Sequence, residues 1–194
     1  ELITRILGIN GHMIVQPIDG VLDDYAALTD KYRKVDGVRD AIPLIEGQTL
    51  ASGKGGAGTG ALVKGVRVDD FTRLKMVADN IQQGDLISFA GEGVAIGSRM
   101  AAALGLSAGD TITLISPEGD VTPLGVNPRV KSYKVSAIFE IGMSEYDASI
   151  IFMPFEEAQL YFNQDGIAQS IEVFLKDPES VDEMRPRLEA ASER

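Results

Sequence analysis

Apolar residues recur along this chain with two different periods. Leu22, Tyr25, Leu28, Tyr32 and Val35 fall at spacings of three and four, the single stripe of an amphipathic helix, which Gly37 closes. Ahead of that helix, a bend around Gly8, Asn10 and Gly11 leads into an apolar run from Met13 to Val15, ended by Pro17, as in a short strand. After it, VRDAIPLIEGQTLAS and ALVKGVRV both read as extended, so the predicted opening order is β-α-β-β.

The middle of the chain is predicted to be mostly β. A short helix or irregular turn covers Asp69 to Asn80, and another short helix centres on Arg99 to Leu104, capped by Gly105. Ile112 and Leu114 alternate with Thr111 and Thr113 in a strand, and SYKVSAIFEIGM and ASIIFMP supply two more. PFEEAQLYF predicts a short helix with Pro154 in its first turn and Glu156 and Glu157 near its positive end. The chain closes with a strand at QSIEVFL and a helix over DPESVDEMRPRLEAAS, capped by Asp177 and kinked or restarted at Pro186.

Neither the opening β-α-β nor the closing β-α covers both faces of a sheet by itself. Pairing them predicts an α+β fold: a mixed α/β lobe from residues 1–68 and 168–194, with residues 69–167 inserted as a β-rich lobe.

At 194 residues the chain can hold one substantial core or two small lobes. Its 18 basic and 29 acidic residues leave a formal net charge of -11, a field that repels phosphate backbones and argues against a nucleic-acid partner. Cysteine is absent, which excludes disulfides, thiolate metal sites and a cysteine nucleophile. No apolar run reaches the roughly 18 residues that would span a bilayer. The chain opens on Glu1 and ends in RLEAASER, a helix cut in mid-course, so it is expected to be a segment of a longer protein, with any export signal or membrane anchor outside it.

Few residues suggest chemistry. Gly53, Gly55 and Gly58 have the spacing of a dinucleotide-binding loop, but a strand pattern follows where that loop needs a helix, and a flexible hairpin tip is the simpler reading. His12 is the only histidine and has no partner at metal-site or triad spacing, so a turn or surface role is expected. Acids gather at Asp19, Asp23 and Asp24 and again at Glu140, Glu145 and Asp147, without the spacing of a calcium loop. They read as solvated faces; a hydrolase using such carboxylates is the reading kept from a different functional class. No cofactor is implied.

One stretch stands apart. SPEGDVTPLGVNPRVKSYKV, residues 116–135, places three prolines and two glycines between strand signals. Roughly 15 residues there are expected to form a loop, far longer than a usual hairpin connection. Pro123 and Pro128 hold their own backbone and extend Thr122 and Asn127, while Gly125 permits a turn between them, so this loop is stiffened. No acid falls between Asp120 and Glu140, whereas Arg129, Lys131 and Lys134 are basic. A stiff, apolar tip on a basic base suits docking to a partner with an acidic rim.

The ordered series Gly97, Arg99, Ala102, Leu104, Gly105, Leu106, Gly109 and Asp110, then TPLG, PR and FMPFEEAQ, resembles the periplasmic domain of lipoprotein-releasing ABC transporter permeases of the LolC and LolE type. The likeness is strongest from Val94 to Phe162, weak in SGKGGAGTG, and extends over the chain. It implies a domain held on the periplasmic face of the bacterial inner membrane between transmembrane helices, in a permease homo- or heterodimer, with ATP hydrolysis in a separate cytoplasmic subunit and no chemistry in this domain. It further implies a two-lobe fold shared with macrolide-exporter permeases, and a hook over residues 117–131 that enters the cavity of a LolA-type periplasmic lipoprotein chaperone receiving outer-membrane lipoproteins. Matched residue by residue, Thr122, Pro123, Gly125 and Pro128 carry the hook pattern, Leu124 is its apolar tip with Val126 and Asn127 beside it, and Arg129 and Lys131 are candidates for a supporting basic surface. A macrolide-exporter or cell-division type of permease domain with another periplasmic partner is the alternative.

Overall fold

In the computed structural model, which describes residues 2–6 and 12–193, the chain begins with β1 (Leu2–Ile6) and β2 (Met13–Pro17), paired antiparallel from Leu2↔Pro17 to Ile6↔Met13. The expected bend around Gly8, Asn10 and Gly11 lies outside the described residues. α1 (Tyr25–Arg33) buries Leu28 and Tyr32 of the predicted stripe, and β3 (Val38–Ser52) follows. A single 3-10 turn at Lys54–Gly56 joins β3 to β4 (Gly58–Val66), so the glycine-rich segment is a hairpin tip and opens no helix.

α2 (Val68–Phe71) and α3 (Lys75–Ala78) occupy the stretch read as a short helix or turn. β5 (Ile81–Gly84) and β6 (Gly93–Gly97), neither expected, precede α4 (Ser98–Leu104). Then come β7 (Thr111–Thr122), β8 (Gly125–Phe139), the unexpected α5 (Ser144–Ser149), β9 (Ile150–Pro154) and α6 (Phe155–Tyr161). The chain closes with β10 (Ser170–Leu175), a 3-10 turn in which Asp177 Oδ1 accepts from the Glu179 amide at 3.0 Å, and α7 (Val181–Ala191). Pro186 does not restart this helix; it lies inside α7, where it deprives the carbonyl of exposed Asp182 of a donor.

The chain divides into two compact units, Glu1–Ile45 with Gln164–Arg194, and Glu46–Asn163. The first division falls inside β3, where the sequence placed it between residues 68 and 69. The reason is pairing: β4 lies parallel to β9, from Leu62↔Ile150 to Val66↔Pro154, and so belongs with the inserted segment.

In the first unit the strands run β1-β2-β10-β3, all antiparallel. Met13, Val15, Ile171 and Val173 from the strands are buried, as are Leu28 and Tyr32 of α1 and Met184 and Leu188 of α7. Tyr32 Oη lies 2.6 Å from Ser192 Oγ, which ties α1 to the end of α7.

In the second unit the strands close on themselves. The order β3-β4-β9-β6-β8 is completed by β7, which pairs with both β8 and β3, and β5 adds to the edge of β8. Closure removes the open edges that would invite pairing with other chains. The interior is filled: Phe71 stands 4.1 Å from Phe89 and 5.1 Å from Phe152, centroid to centroid, and Phe139 stands 5.6 Å from Phe152. Along β7, Ile112 and Leu114 point into this core, while Thr113 and Ile115 point out.

Candidate docking hairpin

β7 and β8 leave the closed ring as a two-stranded hairpin. β3 pairs with β7 only at Thr113 to Ile115, but the β7–β8 ladder continues from Thr111↔Lys134 to Thr122↔Gly125. The long loop expected over residues 117–131 is therefore absent: strand extends almost to the tip, and Pro123 and Leu124 alone make the turn. β-branched Val121, Thr122, Val126 and Val130 favour the extended backbone, and this preference outweighs the local prolines.

The prolines sit where strand geometry tolerates them. Pro128 faces a break in register between Ser116↔Arg129 and Asp120↔Asn127, so its missing amide removes no ladder bond. Gly119 occupies the same bulge, where a Cβ would stand 1.7 Å from the carbonyl oxygen of Asn127. At the tip, Thr122 Oγ1 accepts from the Leu124 amide at 3.3 Å and donates to the Gly125 carbonyl at 2.8 Å. Pro123 cannot adopt the positive φ of the turns that best suit hairpins, and Gly125 supplies it instead at +122°.

The two faces of the hairpin differ in chemistry. Residues directly opposite in an antiparallel ladder share a face, so Arg129 and Lys131 lie on the side of Ser116 and Leu114. There both bases meet the chain's own acceptors on α6. The Arg129 guanidinium donates to the Tyr161 carbonyl, and the Tyr161 hydroxyl donates back to the Arg129 carbonyl at 3.4 Å. Lys131 Nζ lies 2.6 Å from Glu157 Oε1 and 3.4 Å from Glu92 Oε1, and the buried Tyr133 hydroxyl donates to the same Glu157 oxygen at 2.8 Å. The hydrogen bond to Glu157 holds the Lys131 ammonium above its ordinary pKa against the opposing effect of burial. Burial, reinforced by the Glu157 carboxylate, raises the Tyr133 hydroxyl well above its usual range, and burial pushes Tyr161 up to about 12. The basic pair predicted to face a partner is thus engaged within the domain.

The opposite face is apolar and open. Leu124 is 100% exposed, and Val121, Val126, Val130 and Leu50 are each more than half exposed. Val121 pairs with Val126, and Leu50 of β3, Ile115 of β7 and Val130 of β8 form one cross-strand row.

The other candidate residues take structural places. His12 Nδ1 accepts the Leu175 amide at 2.7 Å, and the His12 ring meets Phe174 edge-on at 6.3 Å. Burial and the nearby Arg39 lower its pKa. Asp147 accepts from the amides of Ile141 and Gly142 at 2.9 and 3.0 Å, holding the loop that enters α5, while Glu140 accepts from Ser98 Oγ at 3.0 Å. Asp147 is thus buried and bonded, against the expected solvated face, whereas Glu140 and Glu145 are exposed as expected. An open groove of about 430 Å³ beside α6 is lined by Arg67, Asp69, Glu156, Glu157 and Leu160 among others, and its Glu157 is the one already committed to Lys131 and Tyr133. No helix among the described residues is long and apolar enough to cross a membrane.

The chain belongs to the MacB-like periplasmic core domain family, which it matches over residues 4–191. Within reach by sequence are proteins named lipoprotein-releasing system transmembrane protein LolC. The one from Neisseria meningitidis serogroup B is 28% identical over 93% of this chain and 44% of its own length, and one from Xylella fastidiosa is 27% identical over 86% and 40%. The chain thus spans less than half the length of these curated relatives. Among solved structures, the periplasmic region of MacB from Actinobacillus actinomycetemcomitans is similar with a TM-score of 0.54 at 12% identity, over 88% of this chain and 72% of that one. The extracellular domain of the noncanonic ABC-type transporter YknZ from Gram-positive bacteria gives 0.54 at 16% identity, over 81% and 75%. Both likenesses concern the fold.

Proposed function

We propose that this chain is the periplasm-facing domain of an inner-membrane, lipoprotein-releasing ABC permease, and that it docks a LolA-type periplasmic lipoprotein chaperone through the tip of the β7–β8 hairpin. The observation that carries this is Leu124, wholly exposed at the end of a two-stranded projection. A leucine so placed is fully covered only by a concave apolar partner, which a lipid-carrying chaperone provides. LolC as the printed name of the sequence relatives supports the same reading. Thr122, Pro123 and Gly125 set the turn, Leu124 and Val126 make the apolar contact, and Asn127 and Pro128 flank it. Arg129 and Lys131 hold the hairpin against α6. In this reading the domain does no chemistry; a cytoplasmic ATPase subunit bound to the full-length permease dimer drives transfer of outer-membrane lipoproteins to the chaperone.

The test is titration of the chain with the LolA-type chaperone of the same organism. The combined variant Pro123→Ala, Leu124→Ser and Pro128→Ala is expected to lower affinity at least about tenfold. Unchanged affinity refutes the docking role.

A further inference from the structure

Two parallel strands of the second unit end side by side. β4 and β9 run in the same direction from Leu62↔Ile150 to Val66↔Pro154, and each passes at its C-terminal end into a helix, β4 through Arg67 into α2 and β9 directly into α6. In open α/β sheets, ligands settle beyond the carboxyl ends of parallel strands. The groove of about 430 Å³ occupies the corresponding place here, with a volume in the range of ligand sites.

This groove is built against anions. The first turns of α2 and α6 carry Asp69, Asp70, Glu156 and Glu157, so the positive helix ends already face the chain's own carboxylates. The charges then sort by pairing. Arg67 Nε donates to Oδ2 of buried Asp70 at 2.7 Å, which balances this lining cation. Glu157 is spent on Lys131 and Tyr133. Asp69 and Glu156 are left over: both are exposed, and among the described residues no hydrogen bond or ion pair engages either carboxylate.

Apolar surface lies beside each of them. Val68 and Leu160 line the same groove and are 39% and 61% exposed. Val68 directly precedes Asp69, and Leu160 follows Glu156 by four residues, on the same face of α6. Uncompensated carboxylates flanked by exposed aliphatic side chains complement a lysine or arginine, whose methylene stem lies on apolar surface while its charged end stays at the acidic rim.

We infer that the groove between α2 and α6 docks a basic segment of a partner protein, with a lysine or arginine against Asp69 and Glu156 and a neighbouring apolar residue on Val68 and Leu160. An anionic occupant is repelled by these carboxylates, and a wholly apolar one buries them unpaired. The net charge of -11 draws a basic segment toward the chain, and the groove fixes where it settles. The inference does not depend on docking at Leu124.

The experiment titrates the isotope-labelled 194-residue chain with synthetic peptides of equal length that alternate Lys with Leu, Lys with Ser, or Glu with Leu, and follows the amide chemical shifts. The Lys-Leu peptide is expected to bind with a Kd below about 1 mM and to shift the amides of Val68, Asp69, Gly91 and Glu156; the Lys-Ser peptide is expected to bind at least about fivefold more weakly, and the Glu-Leu peptide not at all. Asp69→Asn with Glu156→Gln is expected to weaken the Lys-Leu peptide at least about tenfold and Leu160→Ser about threefold. Glu145→Gln with Asp165→Asn, which removes the same charge from exposed positions outside the groove lining, is expected to stay within about twofold. Every substituted side chain is exposed, and thermal unfolding checks that each variant keeps its fold. No binding of the Lys-Leu peptide below about 1 mM refutes the site. So do equal losses in the groove and control pairs, or shifts spread without preference for the groove, either of which reduces the effect to general attraction by an acidic chain. A Glu-Leu peptide that binds as well as Lys-Leu refutes the charge selection, and a Lys-Ser peptide that does so refutes the apolar share.

Discussion

Replacing Glu157 with Gln removes one negative charge from the joint between the hairpin and α6 and leaves the shape almost unchanged. Glu157 is buried and accepts two bonds at one oxygen, from Lys131 Nζ at 2.6 Å and Tyr133 Oη at 2.8 Å. Hydrogen bonds to a charged group contribute about 1.5–3 kcal/mol net and neutral ones about 1 kcal/mol, so each bond loses about 0.5–2 kcal/mol when its acceptor is neutralised. The Lys131 share is reduced because that side chain is 37% exposed and rehydrates. The Tyr133 share is kept, since Tyr133 is 1% exposed and has no water to turn to. Relief of the cost of burying a carboxylate offsets part of the loss. The net expectation is a destabilisation of about 1.5 kcal/mol, or a fall in Tm of about 3–6 °C for a chain of this size. Urea and thermal unfolding followed by circular dichroism measure it, and hydrogen exchange of the β8 amides from Val126 to Lys131 reports whether the hairpin loosens. A Glu157→Gln chain as stable as the parent, with β8 exchange unchanged, would mean that the joint does not hold the hairpin.

Further outcomes follow from other parts of the structure. Gly119→Ala sets a methyl group against the Asn127 carbonyl and is expected to cost about 1–3 kcal/mol in urea unfolding, whereas a loss under about 0.5 kcal/mol would show that the bulge relaxes freely. Because Arg129 and Lys131 are already satisfied, chaperone affinity is expected to change less than about threefold between about 50 mM and 500 mM salt; a tenfold loss would place one of these bases on the partner. His12 has a folded pKa below its ordinary 6.5, because burial and Arg39 disfavour the imidazolium and Nδ1 is already an acceptor for Leu175. The unfolded state then binds more protons, so this contribution to stability is complete above about pH 6.5 and is lost as pH falls through the folded value. The urea midpoint of His12→Gln is expected to vary less than the parent's between about pH 7.5 and 5.5, and equal variation would remove His12 as the cause.

Where period and capping were strong, the elements were legible. The alternation at Ile112 and Leu114 stands, and the stripe of α1 holds from Tyr25 to Tyr32, with Leu22 and Val35 outside the helix; the later helices start slightly downstream of the expected points, α6 after Pro154 as its cap and α7 after the 3-10 turn that Asp177 caps. β6 escaped because GVAIG is buried throughout and bounded by glycine, so it shows no alternation to detect. α5 escaped because SEYDAS has no apolar stripe; its entry is held by Asp147 accepting two amides from the preceding loop. At the hairpin, counting prolines and glycines overrode a β-branched preference that closure of the ring reinforces. The tip residues could still be chosen correctly as a turn, since Pro123 and Gly125 have strong backbone preferences. The fate of Arg129 and Lys131 could not be read, because their acceptors lie 32 and 26 residues farther along the chain and meet them only once α6 has packed.

That packing also explains how an exposed leucine can be held out without collapsing onto its own domain. A free loop of the same length would bend its apolar tip back onto the nearest apolar surface, and ordering it on docking would cost conformational entropy. Here the two strands beneath the tip are also members of a closed ring, so bending either one away would break ladder bonds in the body of the unit. Glu157 and Tyr161 then restrain the remaining sideways freedom from one flank, by contacts to Lys131 and Arg129 that a partner does not need to supply. The hairpin's ordering cost is therefore met when the domain folds. What the basic residues contribute is therefore direction: they fix which flank of the hairpin faces α6, and so which flank stays exposed.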